Sequence, residues 1–235
     1  TLLMANERIN NVIINVSGEK IKSSLKEATI AINRNRPVND SDIDKVIEKG
    51  TYKLNVEGNE LIHCLFTGYR LDLGEEIRDP HNIYGENLSV NILLGLTPAA
   101  QYKNLASVVE NARLDIANKA FSAYASGLSC LVDDERELGA TIIDIGGGCT
   151  NIATFRNGYP VYFSSIGVGG NNITNDIAWG LTTSVAHAER LKTLHGCAFL
   201  TSKDKEETLN VYPVGEEDDT LIKQITKADF NSGAT

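Results

Sequence analysis

The chain has 235 residues, 42% of them hydrophobic and 23% charged, enough to bury one large or two smaller cores and unlike a disordered composition. Its 31 acidic and 22 basic residues give a net charge of -9, and Lys20, Lys22 and Lys26, diluted by Glu19 and Glu27, are the nearest approach to a basic patch, which argues against a nucleic-acid partner. The cysteines Cys64, Cys130, Cys149 and Cys197 form no Cys-x-x-Cys pair and no apolar run is long enough for a membrane helix, so the reading is reduced thiols in a soluble, cytoplasmic chain.

Val12 to Val16 reads as a buried strand ending at Ser17-Gly18, and Ala28 to Ile32 as a short second strand. Asn39-Asp40-Ser41 caps a helix over Asp42 to Lys49, with Ser41 and Asp44 resembling a capping box and Gly50 as its stop. Leu61 to Phe66 and Tyr69 to Leu73 read as strands around Thr67-Gly68. In Leu88 to Leu96, the residues Leu88, Val90, Ile92 and Leu94 alternate with Ser89, Asn91 and Leu93, as in a strand with one face more deeply buried. Residues 21–96 therefore form a small α+β module, expected to project as a separate lobe. Thr97-Pro98 opens a helix with Leu105, Val108, Val109 and Ala112 on its core face, and Asp133 to Glu137 reads as a charged loop.

The most informative stretch follows. Thr141 to Ile145 reads as a buried strand carrying one carboxylate, Asp144, at its end, and Gly146, Gly147 and Gly148 come directly after it. A carboxylate there can reach a hydrated divalent cation, and glycines let backbone N–H groups close on phosphate oxygens. The alternative is a glycine-rich hairpin lead-in whose Asp only bonds the turn. The flanks favour phosphate: Asn151 to Arg156 and Tyr159 to Val168 read as strands joined by the two-residue turn Asn157-Gly158. Gly169-Gly170 then precedes a helix whose Ile173, Ile177 and Leu181 recur at helical spacing, and free N–H groups are expected there for a phosphate. A second helix runs from about Ser184 to His195, stopped by Gly196, with Val185, Ala188, Leu191 and Leu194 inside and Glu189 and Lys192 three apart on one face. In isolation that pair is an ordinary surface ion pair, but its position after two phosphate-type turns suggests a nucleotide role. Lys203, Lys205, Glu206, Glu207 and Glu216 to Asp219 read by charge density as a solvated tail, with a partner-contact surface as the alternative.

These residues carry a family resemblance. Val132-Asp133-Asp134-Glu135-Arg136-Glu137-Leu138-Gly139, the Asp144-Ile145-Gly146-Gly147-Gly148 run, Val168 to Ala178 and Ala188-Glu189-Arg190-Leu191-Lys192 to Ala198 resemble the bacterial FtsA cell-division family of actin-like ATP-binding proteins. The likeness is weaker but continuous from Val12 onward and fades after about Leu200. It implies an α/β, actin-like (ribonuclease H-like) nucleotide-binding fold, incomplete here, with an inserted α+β subdomain. The implied parts are residues 1–20 as a remnant of subdomain 1A, 21–96 as 1C, 97–138 as the return to 1A, 139–182 as 2A with the phosphate loop, and 183–235 as part of 2B. Asp79-Pro80 and Gly85 resemble the family's Asp-Pro-x-Gly-type turn, blurred by Tyr84 and Asn87.

By matching position, the resemblance implies that Asp144 holds nucleotide-bound Mg2+ through water and that Gly146, Gly147, Gly148, Cys149 and Thr150 surround the phosphates of ATP. Gly169 and Gly170 would back the phosphate or ribose, and Glu189 and Lys192 would contact ribose and base. Cys149 stands where the family has Thr, and Asn151 where it has Asp; a neutral amide is a poor general base, so hydrolysis is expected to be slow. The family's first phosphate loop, its adenosine segment and its C-terminal membrane helix have no counterpart here, so the chain reads as an internal piece of a longer protein, with nucleotide binding weak or absent in this piece by itself. The implied role is an adaptor linking FtsZ filaments to the inner membrane, associating with itself and, through 21–96, with other division proteins. The alternative is an active ATPase or sugar-type kinase of the same superfold.

Overall fold

The structure, a computed structural model, describes residues 9–54, 56–202, 206–214 and 222–233. The chain divides into two compact units: the first holds residues 1–144 and 149–167, the second 145–148 and 168–235.

In the first unit β1 (Asn11–Val16) pairs in parallel with β6 (Asp115–Phe121) as a two-stranded sheet. A seven-stranded sheet has the order β4-β3-β5-β2-β9-β8-β7, built from β2 (Lys22–Ala31), β3 (Asn59–Leu71), β4 (Glu76–Ile77), β5 (Asn87–Pro98), β7 (Ala140–Ile145), β8 (Thr150–Arg156) and β9 (Tyr159–Ile166). Val12 to Val16 and Thr141 to Val168 thus lie in different sheets, as expected. The 21–96 module is not a separate lobe. Its strand β2 joins β9 at Lys22 and Ser164, the Ser23 hydroxyl accepts from Phe163 N at 2.9 Å and donates to Phe163 O at 3.0 Å, and Ile21 N donates to Ser165 Oγ at 2.8 Å. Two serine hydroxyls substitute for ladder bonds where the strands diverge, so two sheet edges satisfy one another and become one sheet.

The module's local structure differs from its sequence pattern in ways packing explains. β2 starts well before Ala28, because pairing with β5 from Lys22–Leu96 to Ala31–Asn87 carries a polar stretch that periodicity passes over. The two strands expected around Thr67-Gly68 are one strand, β3, whose register shifts between Leu61 and His63 and between Phe66 and Gly68 absorb the irregular residues. Helix α1 (Asp40–Thr51) is capped by Asn39, which accepts from Asp42 N while Asp42 reaches back to Asn39 N, so the box lies two residues earlier than Ser41 and Asp44. Asp42, 3% exposed, is paired in a fork with Arg36 at 2.6 and 2.9 Å, and this guanidinium holds its carboxyl below the usual range.

Gly50 does not stop α1. It is buried inside it, against β5: a Cβ there would lie 2.4 Å from Ile92 Cδ1 and 3.2 Å from Ala28 Cβ. In a helix Gly→Ala is worth about 1 kcal/mol in favour of Ala, whereas overpacking a full core costs about 1–3 kcal/mol. Ile92 is 0% exposed, so its Cδ1 can make room only by displacing other buried atoms, and overpacking outweighs the helix gain. Gly50→Ala should lower the urea midpoint, by up to about 2 kcal/mol of stability once the helix gain is subtracted; a raised midpoint would show that the core yields.

β5 behaves as its alternation predicted: Leu88, Val90, Ile92, Leu94 and Leu96 share a cluster with Val38 and Val46, while Leu93 joins a second cluster with Ile14, Val16, Phe121, Phe155 and Phe163. Thr97 is still strand and Pro98 is the N-cap of α2 (Ala99–Asn111), which packs through Tyr102, Leu105 and Val109 and leaves Val108 68% exposed. Residues 133–137 are not loop but lie within helix α4 (Asp133–Leu138), where Glu135 caps Val132 N. It follows α3 (Ser122–Cys130). β7, expected to be buried, is last in the sheet order and leaves Ile143 60% exposed. The hairpin turn is as predicted, with Asn157 and Gly158 both at positive φ.

In the second unit α5 (Gly170–Leu181) and α6 (Val185–His195) pack with α7 (Lys227–Gly233) and the antiparallel pair β10 (Thr208–Val211) and β11 (Lys223–Thr226) around Ile177, Ala188, Leu191, Val211 and Phe230. Val185 and Leu194, expected inside, are exposed. β10 replaces part of the expected solvated tail, and Glu207 pairs with Lys227 at 3.1 Å. Lys203, Lys205 and residues 216–219 lie outside the described residues.

Candidate functional site

In the first unit, Asp144 is half-buried near the end of β7, and its Oδ2 accepts a hydrogen bond from the hydroxyl of buried Ser122. Ser122 is the first residue of the nine-residue α3, so the carboxylate sits where helix amides lack intrahelical partners and the dipole favours negative charge. Asn151, 1% exposed, donates from Nδ2 to Ser17 Oγ at 2.7 Å and lies 3.8 Å from Cys149 Sγ; Ser17 Oγ and Cys149 Sγ are 3.3 Å apart. Asn151 Oδ1 is buried without a hydrogen-bond partner among the described residues. Such an orphan acceptor costs about 1–3 kcal/mol unless something donates to it.

In the second unit the glycine loop docks on the start of α5. Gly170 N donates to Gly146 O at 2.9 Å and Asn171 N to Gly147 O at 2.7 Å. Gly169 N donates to Asn172 Oδ1 at 2.9 Å. The free N–H groups expected at Gly169 and Gly170 are therefore not free; a helix start offers donors to whatever acceptor is nearest, and here that is the loop itself. The consequence lies one bond further on. Among the described residues no peptide is cis, so in each planar unit the N–H points opposite the C=O. With the carbonyls of Gly146 and Gly147 turned toward α5, the N–H groups of Gly147 and Gly148 turn away from it, and among the described residues neither donates to the protein. Two consecutive amides are thereby left to an acceptor outside the protein.

Gly169 permits this approach, since a Cβ on it would lie 2.5 Å from Gly146 O and 2.6 Å from Gly147 O. Glu189 and Lys192 are more than a surface pair. Lys192 Nζ reaches Glu189 Oε2 at 2.7 Å, Thr174 Oγ1 at 2.8 Å and Gly170 O at 3.1 Å, and the Thr174 hydroxyl donates to Glu189 Oε2 at 2.5 Å. The Lys192 ammonium, then the Thr174 hydroxyl, hold the Glu189 carboxyl below the usual range.

Ser17, Ser122, Asn172 and Thr174 complete these arrangements and were not singled out from the sequence. Only Asn172 left a signal, an amide three residues after the helix cap. Among the described residues no cluster of three or more His, Cys, Asp or Glu could hold a metal by itself.

The comparisons agree with this architecture. Residues 141–234 match the family described as "Cell division protein FtsA", and residues 18–94 match "SHS2 domain inserted in FTSA". The chain is 37% identical over 225 residues to the cell division protein FtsA of Agrobacterium fabrum, covering 96% of this chain and 51% of that protein. Against the FtsA of Escherichia coli K12 it is 29% identical over 227 residues, covering 97% and 54%. Among solved structures, the PilM-PilN type IV pilus biogenesis complex aligns with a TM-score of 0.52 at 18% identity, over 83% of this chain and 54% of that one. The fold is thus of the actin-like α/β class with an inserted module. The chain belongs to the FtsA cell-division family, and the match reaches residue 234, beyond the expected fading near Leu200. It spans about half the length of the curated relatives it matches.

Proposed function

We propose that this chain binds ATP with magnesium and serves as a nucleotide-dependent adaptor in cell division. The observation that carries the reading is the pair of outward amides of Gly147 and Gly148, held by carbonyl bonds to α5. Phosphate oxygens fit those donors, and the loop's neighbours Gly146, Cys149 and Thr150 line their approaches in sequence. Asp144, with Oδ2 bonded to Ser122, keeps Oδ1 for a hydrated cation, and the orphan Asn151 Oδ1 accepts from a bound water. Glu189, half exposed, supplies an acceptor for ribose hydroxyls. Magnesium would neutralise phosphate charge there. Asn151 cannot take a proton from water as an aspartate can, so turnover is slow and the nucleotide acts as a state marker for assembly, not as fuel for a metabolic reaction.

In the same reading, the protein associates with itself, binds FtsZ and recruits other division proteins through residues 21–96, at the cytoplasmic face of the inner membrane. Among the described residues no helix is long and apolar enough to cross a membrane. Calorimetry tests the nucleotide part: ATP should bind more tightly with Mg2+ than without, and Asp144→Ala should remove at least 10-fold of affinity in Mg2+, about 1.4 kcal/mol, while leaving Mg2+-free binding unchanged. Equal affinities with and without the cation would refute the role of Asp144. For FtsZ, Arg190 is exposed on α6, and Arg190→Glu should reduce co-sedimentation more than charge reversal at Glu216 to Asp219; equal losses would place the contact elsewhere.

A further inference from the structure

We propose that Lys192 is a positioning residue for phosphate binding, acting through the peptide chain of α5 and the glycine loop and not through ribose or base; this rests on the nucleotide reading above. An ammonium has three N–H groups, and all three are engaged within this unit, on Glu189, Thr174 and Gly170 O. Thr174 is 3% exposed and fixes the approach. The third contact matters most, because the carbonyl of Gly170 belongs to the same peptide group as the N–H of Asn171. That N–H donates to Gly147 O at 2.7 Å, and the carbonyl of Gly147 shares its peptide group with the outward N–H of Gly148. Lys192 therefore stands at the head of a chain of hydrogen bonds running through two peptide groups to that outward N–H. A cation on the first carbonyl polarises each amide in turn and strengthens the last donor, as cooperative chains do in a low-dielectric setting. Gly170 N, donating to Gly146 O, holds the neighbouring peptide in register.

Two probes separate this role from a nucleoside contact: ATP, and inorganic tripolyphosphate, which has neither ribose nor base. Lys192→Met should weaken both by about the same factor, roughly 10-fold. A loss for ATP with tripolyphosphate unchanged would put Lys192 on the nucleoside and overturn the proposal. Thr174→Val keeps every charge but loosens the lysine, and should weaken both probes by about 3-fold; unchanged binding in Thr174→Val beside a parallel loss in Lys192→Met would mean direct contact of the ammonium with phosphate, and also overturn it. The relay has a readout without ligand. In the free protein the amide protons of Asn171 and Gly148 should move upfield in Lys192→Met, while the Gly158 amide, which donates to Arg136 O in the first unit, stays in place; unmoved Asn171 and Gly148 signals would refute the relay. If the wild type binds neither probe, the nucleotide reading fails, and the amide shifts still decide the relay on their own.

Discussion

Gly169→Ala should abolish measurable ATP binding, a loss of at least 100-fold or about 2.7 kcal/mol, and lower stability by about 2–4 kcal/mol. The cause is steric and not conformational. Gly169 has φ -159 and ψ -169, extended backbone that alanine adopts freely. Its new Cβ would lie 2.5 and 2.6 Å from the carbonyl oxygens of Gly146 and Gly147, and those are the atoms that α5 holds. Relief requires the loop and the helix start to part, which breaks both Gly170 N to Gly146 O and Asn171 N to Gly147 O and frees the peptide planes that aim the outward amides. Gly180→Ala, further along α5, is the control, since a Cβ there meets nothing within 4 Å and the variant should bind ATP within about threefold of wild type. If Gly169→Ala also bound within threefold, the brace would not matter to the ligand.

Much of the site was legible because its chemistry is backbone chemistry. Asp144 at a strand end, three glycines, a hairpin with Asn157-Gly158 and a helix opening at a glycine pair are each dictated by local geometry, and local geometry is what a sequence pattern reports. Who bonds to whom was not legible. The sequence offered Gly169 and Gly170 as phosphate donors, yet their N–H groups serve Asn172 and the loop, because a helix start in a folded chain meets intramolecular acceptors first. Lys192 read as one half of an i,i+3 pair, since periodicity cannot see Thr174 and Gly170 O across from it. The same limit explains the fold-level misses. β2 is polar over much of its length and exists through its pairing with β5, and the join of β2 to β9 depends on hydroxyls of Ser23 and Ser165 some 140 residues from their partners in sequence. Gly50 looked like a helix stop because glycine usually is one, and only the position of Ile92 shows that it is packing that requires it.

Acid should destabilise this protein through His63. The imidazole lies in β3, its Nε2 accepting from Phe121 N at 2.9 Å and its ring 4.9 Å from that of Tyr124 and 6.0 Å from that of Phe163. Burial first, then the nearby Lys119 charge, push its pKa down from 6.5 to about 4. A protonated Nε2 could not accept the Phe121 bond, so the neutral ring is the folded form. Between pH 6.5 and about 4 the unfolded chain binds a proton that the folded chain refuses, so the contribution is complete above 6.5 and is lost as pH falls through that window. The full gap is worth at most about 3 kcal/mol. His81 has the opposite sign: bonded to Asp40 at 2.9 Å and to Asp79, its pKa is raised, so its contribution is present below 6.5 and fades as pH rises, and being on the surface it counts for less. Urea unfolding at pH 7.5 and 4.5 should show wild type losing about 2–3 kcal/mol more than His63→Gln, whose amide oxygen can accept from Phe121 N without titrating. Parallel losses in the two proteins would mean that the imidazole is protonated in place and that the Phe121 amide has found another acceptor.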